Sequence, residues 1–134
     1  MHKKSRLLKC GIIIAMLICS HINLSANELP KIQNSSIVGT WLSESDSKWK
    51  LVFTTTKCYQ YYGGTLVETN SYLISNTSPQ CGKVVPVDNY TSYLKLIDDQ
   101  SSTNVTCYEI NGITSQNLSL RPVNNGKILI FVRQ

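Results

Sequence analysis

The residues of this chain that could carry chemistry are five cysteines, two histidines, eight carboxylates and seven tyrosines. Their positions decide what they can do. His2 and His21 fall in the first 26 residues, as do Cys10 and Cys19. That stretch carries Lys3, Lys4, Arg6 and Lys9, then the apolar run Cys10 to Cys19, then Asn23-Leu24-Ser25-Ala26. A positive start, a short apolar run and small residues at its end form the pattern of a cleaved signal peptide. The apolar run falls well short of the roughly 20 residues a spanning helix needs, so no membrane span is expected after cleavage. A lipoprotein signal at Cys19 is the lesser alternative, because Ile18 stands where a small residue is usual.

Beyond residue 26 the chain has no histidine, no methionine and no alanine. Without histidine neither a Ser-His-Asp nor a Cys-His centre can be assembled, and the usual imidazole metal ligand is missing. Cys58, Cys81 and Cys107 lack the paired spacing of a zinc site. The carboxylates Glu28, Glu44, Asp46, Glu68, Asp88, Asp98, Asp99 and Glu109 are scattered, and no Gly-rich phosphate loop occurs. The expectation is a protein that is not an enzyme and needs no cofactor or metal. The net charge of +5 comes mostly from the signal. Without it nine basic residues face eight acidic ones, spread along the chain, so no nucleic-acid footprint remains.

Export permits a disulfide, and three cysteines allow one bridge and one free thiol. Cys81–Cys107 is the expected pair, because Cys81 lies in the segment with most to gain from an anchor. Closing that loop is worth roughly 3–4 kcal/mol in the chain-entropy model. Cys58 is left as a buried strand residue or as a reactive or intermolecular thiol.

The elements that must position these groups read as strands. Val, Ile, Thr and Tyr are frequent and suit pleated sheet, while the best helix former is lacking. Eight strands are expected, near 37–42, 48–54, 57–62, 65–74, 90–97, 104–113, 117–120 and 127–133. Gly63-Gly64 and Asn124-Asn125-Gly126 can make tight hairpins, with Pro122 ending the strand before the second. In the last strand both faces are largely apolar, which suggests burial on both sides or a face against a tight barrel core. Residues 75–89 form a long irregular segment, of the kind that is often functional or pinned. Short strands at regular spacing argue for an all-β, small, up-and-down antiparallel eight-stranded barrel. A β-sandwich is the alternative, since periodicity does not separate the two. The division expected is a signal peptide over 1–26, a flexible N-terminal arm over 27–36 and a barrel domain over 37–134.

Gly39-Thr40-Trp41, at the start of the first strand of an eight-stranded meander, resembles the lipocalins. It is closer to the short lipocalin-like domains exported by bacteria. Cys107 to Ile113, Leu118-Ser119-Leu120 and Ile130 to Gln134 look like that group as well. The resemblance implies that Trp41 plugs one end of the barrel, that Gly39 leaves room for close packing, and that a basic residue near the C-terminus lies across the indole. By position that residue is Arg133, with Arg121 as the alternative. Full lipocalins are longer and carry a C-terminal helix, which this sequence lacks.

Three functions follow as expectations for a chain of the periplasm, cell envelope or exterior. In the first, the barrel mouth holds a small apolar ligand lined by Trp49, Tyr61, Tyr72 and Phe131, with residues 75–89 as a lid. In the second, a barrel with a filled core binds a protein partner through its loops, for instance as an inhibitor of an envelope hydrolase. In the third, outward tyrosines form a carbohydrate-binding surface, with Tyr59 and Tyr61 on one face of a strand.

Overall fold

The computed structural model describes residues 34–124 and 126–134. The signal segment, Cys19 and most of the N-terminal arm lie outside the described residues. One short helical turn, α1 (Asn34–Ile37), is followed by eight strands: β1 (Gly39–Ser43), β2 (Trp49–Phe53), β3 (Lys57–Tyr62), β4 (Thr65–Ser75), β5 (Ser92–Asp98), β6 (Val105–Ile113), β7 (Asn117–Pro122) and β8 (Leu129–Arg133). Each strand pairs antiparallel with the next, and β8 returns to β1, so the sheet closes into an eight-stranded up-and-down barrel. Full closure distinguishes it from the sandwich, because no strand is left at an edge.

Period-two alternation decides which side chains face in. Leu51 and Phe53 of β2, Leu94 and Leu96 of β5, Leu118 and Leu120 of β7 and Phe131 of β8 are buried together in one core. The turns have local chemistry. Gly63 and Gly64 take positive φ, 58° and 86°, in a two-residue hairpin between β3 and β4. Thr54 accepts the Lys57 amide at 3.0 Å, and Thr114 does the same for Asn117 at 2.8 Å. These side-chain turns stop a strand and start its partner without stranding a backbone donor.

β8 is not buried on both sides. Phe131 faces the core, whereas Ile128, Ile130 and Val132 lie on the exposed outer face. Ile37, expected to open the first strand, instead ends α1 and is fully buried. The end of the arm is therefore folded, and its carbonyls are used. Trp41 is fully buried, and its indole N–H donates to the Ile37 carbonyl at 2.8 Å. The Arg133 guanidinium lies 4.1 Å from the centre of the Trp41 ring. It also donates to the carbonyls of Val38 and Ser36, at 2.8 and 3.0 Å. Gly39 has φ +142°, and a Cβ there would stand 2.3 Å from the Arg133 Nη1. That end of the barrel is thus closed by an indole and a guanidinium, which pass a backbone position that has to be glycine.

Gly39→Ala should cost more than about 2 kcal/mol, combining backbone strain with the displaced guanidinium. Arg133→Ala should cost about 1–3 kcal/mol through the lost ring contact and hydrogen bonds. Because both changes disturb one contact, the double variant should lose less than the sum in urea titrations.

Candidate functional site

The sequence-level candidates separate into two places. Trp49 and Phe131 line a cavity inside the barrel, together with Leu51, Gln60, Tyr108 and Leu129. Its volume is about 60 Å³. That is room for a few waters, well below the roughly 300–1,000 Å³ of small-molecule pockets. Trp49 sits at the opposite end from Trp41, edge-on to Tyr62 with ring centres 6.0 Å apart. Tyr72 faces inward but toward the closed end. It packs edge-on against Phe53 at 5.2 Å, and its hydroxyl donates to the Thr54 carbonyl at 2.7 Å.

Tyr61 is not a lining residue. It is paired with Lys50, whose ammonium lies 4.6 Å over its ring on the outer wall. The cause is alternation: Cys58 and Gln60 are buried, so Tyr59 and Tyr61 turn outward.

The interior also holds a polar cluster that the sequence reading missed. Gln60 of β3 faces Glu68 of β4 across the ladder, and Cys58 faces Asn70. The Gln60 amide donates to Glu68 at 3.0 Å and to Asn70 at 2.8 Å, and the Asn70 amide donates to Glu68 at 2.8 Å. Each Glu68 oxygen is therefore met by a neutral donor rather than a cation. Asn70 and Gln60 are buried, and mutual pairing is what makes their burial tolerable. Cys58 lies beside them with no exposed surface. Burial pushes its thiol up to about 12, and the charge of Glu68 adds to the effect. It is the free cysteine among the described residues, and a thiol in that state is inert. Among the described residues no group of three or more His, Cys, Asp or Glu is placed to hold a metal ion.

The second place is the segment between β4 and β5, residues 76–91, which lies across the outer wall. Cys81 and Gly82 both take positive φ, 47° and 78°. They form a tight turn closed by reciprocal bonds between Gln80 and Lys83, at 2.6 and 2.8 Å. Cys81 at the tip is bonded to Cys107. Cys107 sits one residue before Tyr108, which packs on the core, so Cys107 belongs to the outward face of β6. The segment is thus a strap along β5 and β6 rather than a lid over the mouth. Further bonds hold it: Asn76 donates to the Asp88 carbonyl at 2.7 Å, and the Val85 amide donates to the Ser78 hydroxyl at 3.0 Å. Asp88 accepts from Thr91 and Tyr90, which hold its carboxyl below the usual carboxylate range. Between strap and wall runs an open groove of about 420 Å³, with Val85 and Pro86 on one side, Pro122 and Val123 on the other, and Tyr93, Glu109 and Arg121 in reach. Arg121 pairs with Glu109 across the β6–β7 ladder, and so Arg133 alone of the two arginines packs on Trp41.

The fold and its two sites define a small, closed, all-antiparallel β-barrel compatible with binding, stapled by a disulfide of the kind found in oxidising compartments. Compared with protein-family models, with curated proteins and with solved structures, the chain shows no match.

Cys58 gives the site a measurable signature. A thiol raised above its unfolded value keeps its proton while the unfolded chain loses it. The stability it contributes is complete below pH 9 and is lost as pH rises toward 12. Cys58→Ala should flatten the fall of stability in that window by up to about 1.4 kcal/mol per pH unit. Native protein should also resist a thiol-specific reagent at pH 8 and react with it once unfolded.

Proposed function

We propose that this chain is an exported, non-catalytic, lipocalin-like barrel that binds a protein partner through the strap on its outer wall. One observation carries the reading. Val84, Val87 and Tyr90 are 88%, 64% and 73% exposed on a segment that a disulfide and several hydrogen bonds hold in place. Large apolar side chains left in water on one ordered segment are what a partner would cover. Ordering them in advance removes entropy that binding would otherwise lose. Export is supported by the order of charge, apolar run and small residues at the N-terminus, and by the disulfide. The Gly39-Thr40-Trp41 start and the guanidinium across the indole support the likeness to lipocalins.

The two other sequence-level readings have less behind them. A small apolar ligand would need more than the 60 Å³ inside the barrel. A carbohydrate platform needs free aromatic faces, and the outward Tyr61 ring is covered by Lys50. An inhibitor of an envelope hydrolase would be one form of the protein-binding reading.

A photo-reactive phenylalanine analogue placed at Val84, Val87 or Tyr90, and illuminated in the native envelope fraction, should give one discrete adduct. The same analogue at Ile130, exposed on β8, should give none. Val84→Asp should remove the Tyr90 adduct and shift stability by less than about 0.5 kcal/mol, as surface changes do. Equal labelling from Ile130 would sink the proposal. So would no adduct from the strap alongside a small molecule released on denaturation.

A further inference from the structure

Among the described residues, the hydrogen bonds of the strap stay within it or return to the end of β4. Asn76 donates to Asp88, Val85 to Ser78, and Tyr90 and Thr91 to Asp88. Gln80 and Lys83 bond each other, and the Gln80 side chain donates to Ser75 and Thr77. None runs from residues 76–91 to β6 or β7. Packing does not take their place. Val84, Val87 and Tyr90 are exposed, and the open groove separates Val85 and Pro86 from Pro122 and Val123. A segment that buries so little apolar surface has low local stability. One link crosses to the wall, the Cys81–Cys107 bond. The barrel closes without the strap: its eight ladders run through β1 to β8, and Trp41 with Arg133 fastens the last of them.

We propose that Cys81–Cys107 is a redox latch. Its reduction releases the strap and leaves the barrel closed, so the ordered surface for the partner exists in the oxidised protein alone. This rests on the protein-binding reading above and adds its regulation. The chemistry is thiol–disulfide exchange with a dithiol. Cys107 is 4% exposed, whereas Cys81 is half-buried at the tip of the turn. The attacking thiolate therefore meets the Cys81 sulfur. A bond forms between the two, the Sγ–Sγ bond breaks, and the electron pair leaves on Cys107, which takes a proton. The second thiol of the dithiol then displaces Cys81, which takes a proton in turn, and closes a disulfide in the reagent. Two electrons and two protons pass to the protein. Cys58 does not intercept them, because it is fully buried on the inward face of β3 while Cys107 lies on the outward face of β6.

The test adds dithiothreitol to the folded ¹⁵N-labelled protein. The double variant Cys81→Ser, Cys107→Ser repeats the released state without reagent. Amide signals of residues 76–91 should move to random-coil positions, with order parameters below about 0.6. Signals of β1 to β8, apart from those beside Cys107, should keep their positions. Cross-linking from Val84 or Tyr90 should fall by about tenfold or more, since the partner must then order the strap itself. It should recover when oxidised glutathione re-forms the bond. A strap that stays ordered without the bond overturns the inference, and so does a barrel that unfolds when the bond is opened or removed. A bond that resists the dithiol in the folded protein, or cross-links that survive its reduction, overturn it as well. If the oxidised protein gives no strap adduct, the protein-binding reading fails and its regulation with it, while the spectra still decide whether the bond alone holds the strap.

Discussion

Arg133 reaches across Trp41 to the carbonyls of Val38 and Ser36, and so fastens the end of β8 to the approach of β1. Seven of the eight ladders join neighbours in sequence and would form in an open sheet as well. The eighth, β1 with β8, turns the sheet into a barrel. It is short, with three paired positions from Trp41–Arg133 to Ser43–Phe131. The indole–guanidinium contact sits at its end and adds what three pairs alone would not supply. Gly39 is the condition for that contact, since any side chain there would occupy the place of the guanidinium.

Closure at one end and filling from within leave the barrel little interior to offer. Trp41, Phe53 and Tyr72 occupy the closed end, and Leu94, Leu118 and Leu120 the middle. Near Trp49 the wall becomes polar, where Gln60, Glu68 and Asn70 satisfy one another. Such a network adds little net stability, but breaking one member would strand the others. The surface proposed for binding lies outside, where a segment that contributes nothing to the barrel ladders is stapled to a strand that does. The barrel and the strap are therefore different stretches of chain, joined at Cys81–Cys107.

How much of this the sequence discloses follows from the range of each interaction. The strands were legible because alternation and turn chemistry are local: Gly63-Gly64 marks a hairpin within two residues, whereas the side-chain turns of Thr54 and Thr114 were not singled out. The Cys81–Cys107 pair was legible because Cys81 lies in a long irregular segment, which gains most from being tied to a strand. The path of the strap was not, because nothing local says whether a long segment crosses the mouth or the wall. That depended on Cys107 facing outward, which is set by the register of β6. The same parity, applied to β3, would have turned Tyr61 outward and Gln60 inward, since Cys58 shares the Gln60 face. Pairing Gln60 with Glu68 needed the β3–β4 register, which a bulge after Gln60 shifts. The outer face of β8 misled because its isoleucines and valine are as apolar as a core face, yet they meet solvent.

The connectivity has a kinetic side. Hairpins between sequence neighbours close over short loops and form in microseconds, whereas the contact between Arg133 and Val38 spans 95 residues. Non-local contacts of that kind are slow to find. The sheet would therefore assemble as a meander before its ends meet, and for that interval β1 and β8 are free edges. An open edge recruits other chains, and β8 also carries Ile130 and Val132 on a face that the finished barrel leaves in water. The last event of folding is thus the one that removes the chance of pairing with a neighbour. Fast closure of that last ladder would shorten the interval in which β1 and β8 can pair with another chain.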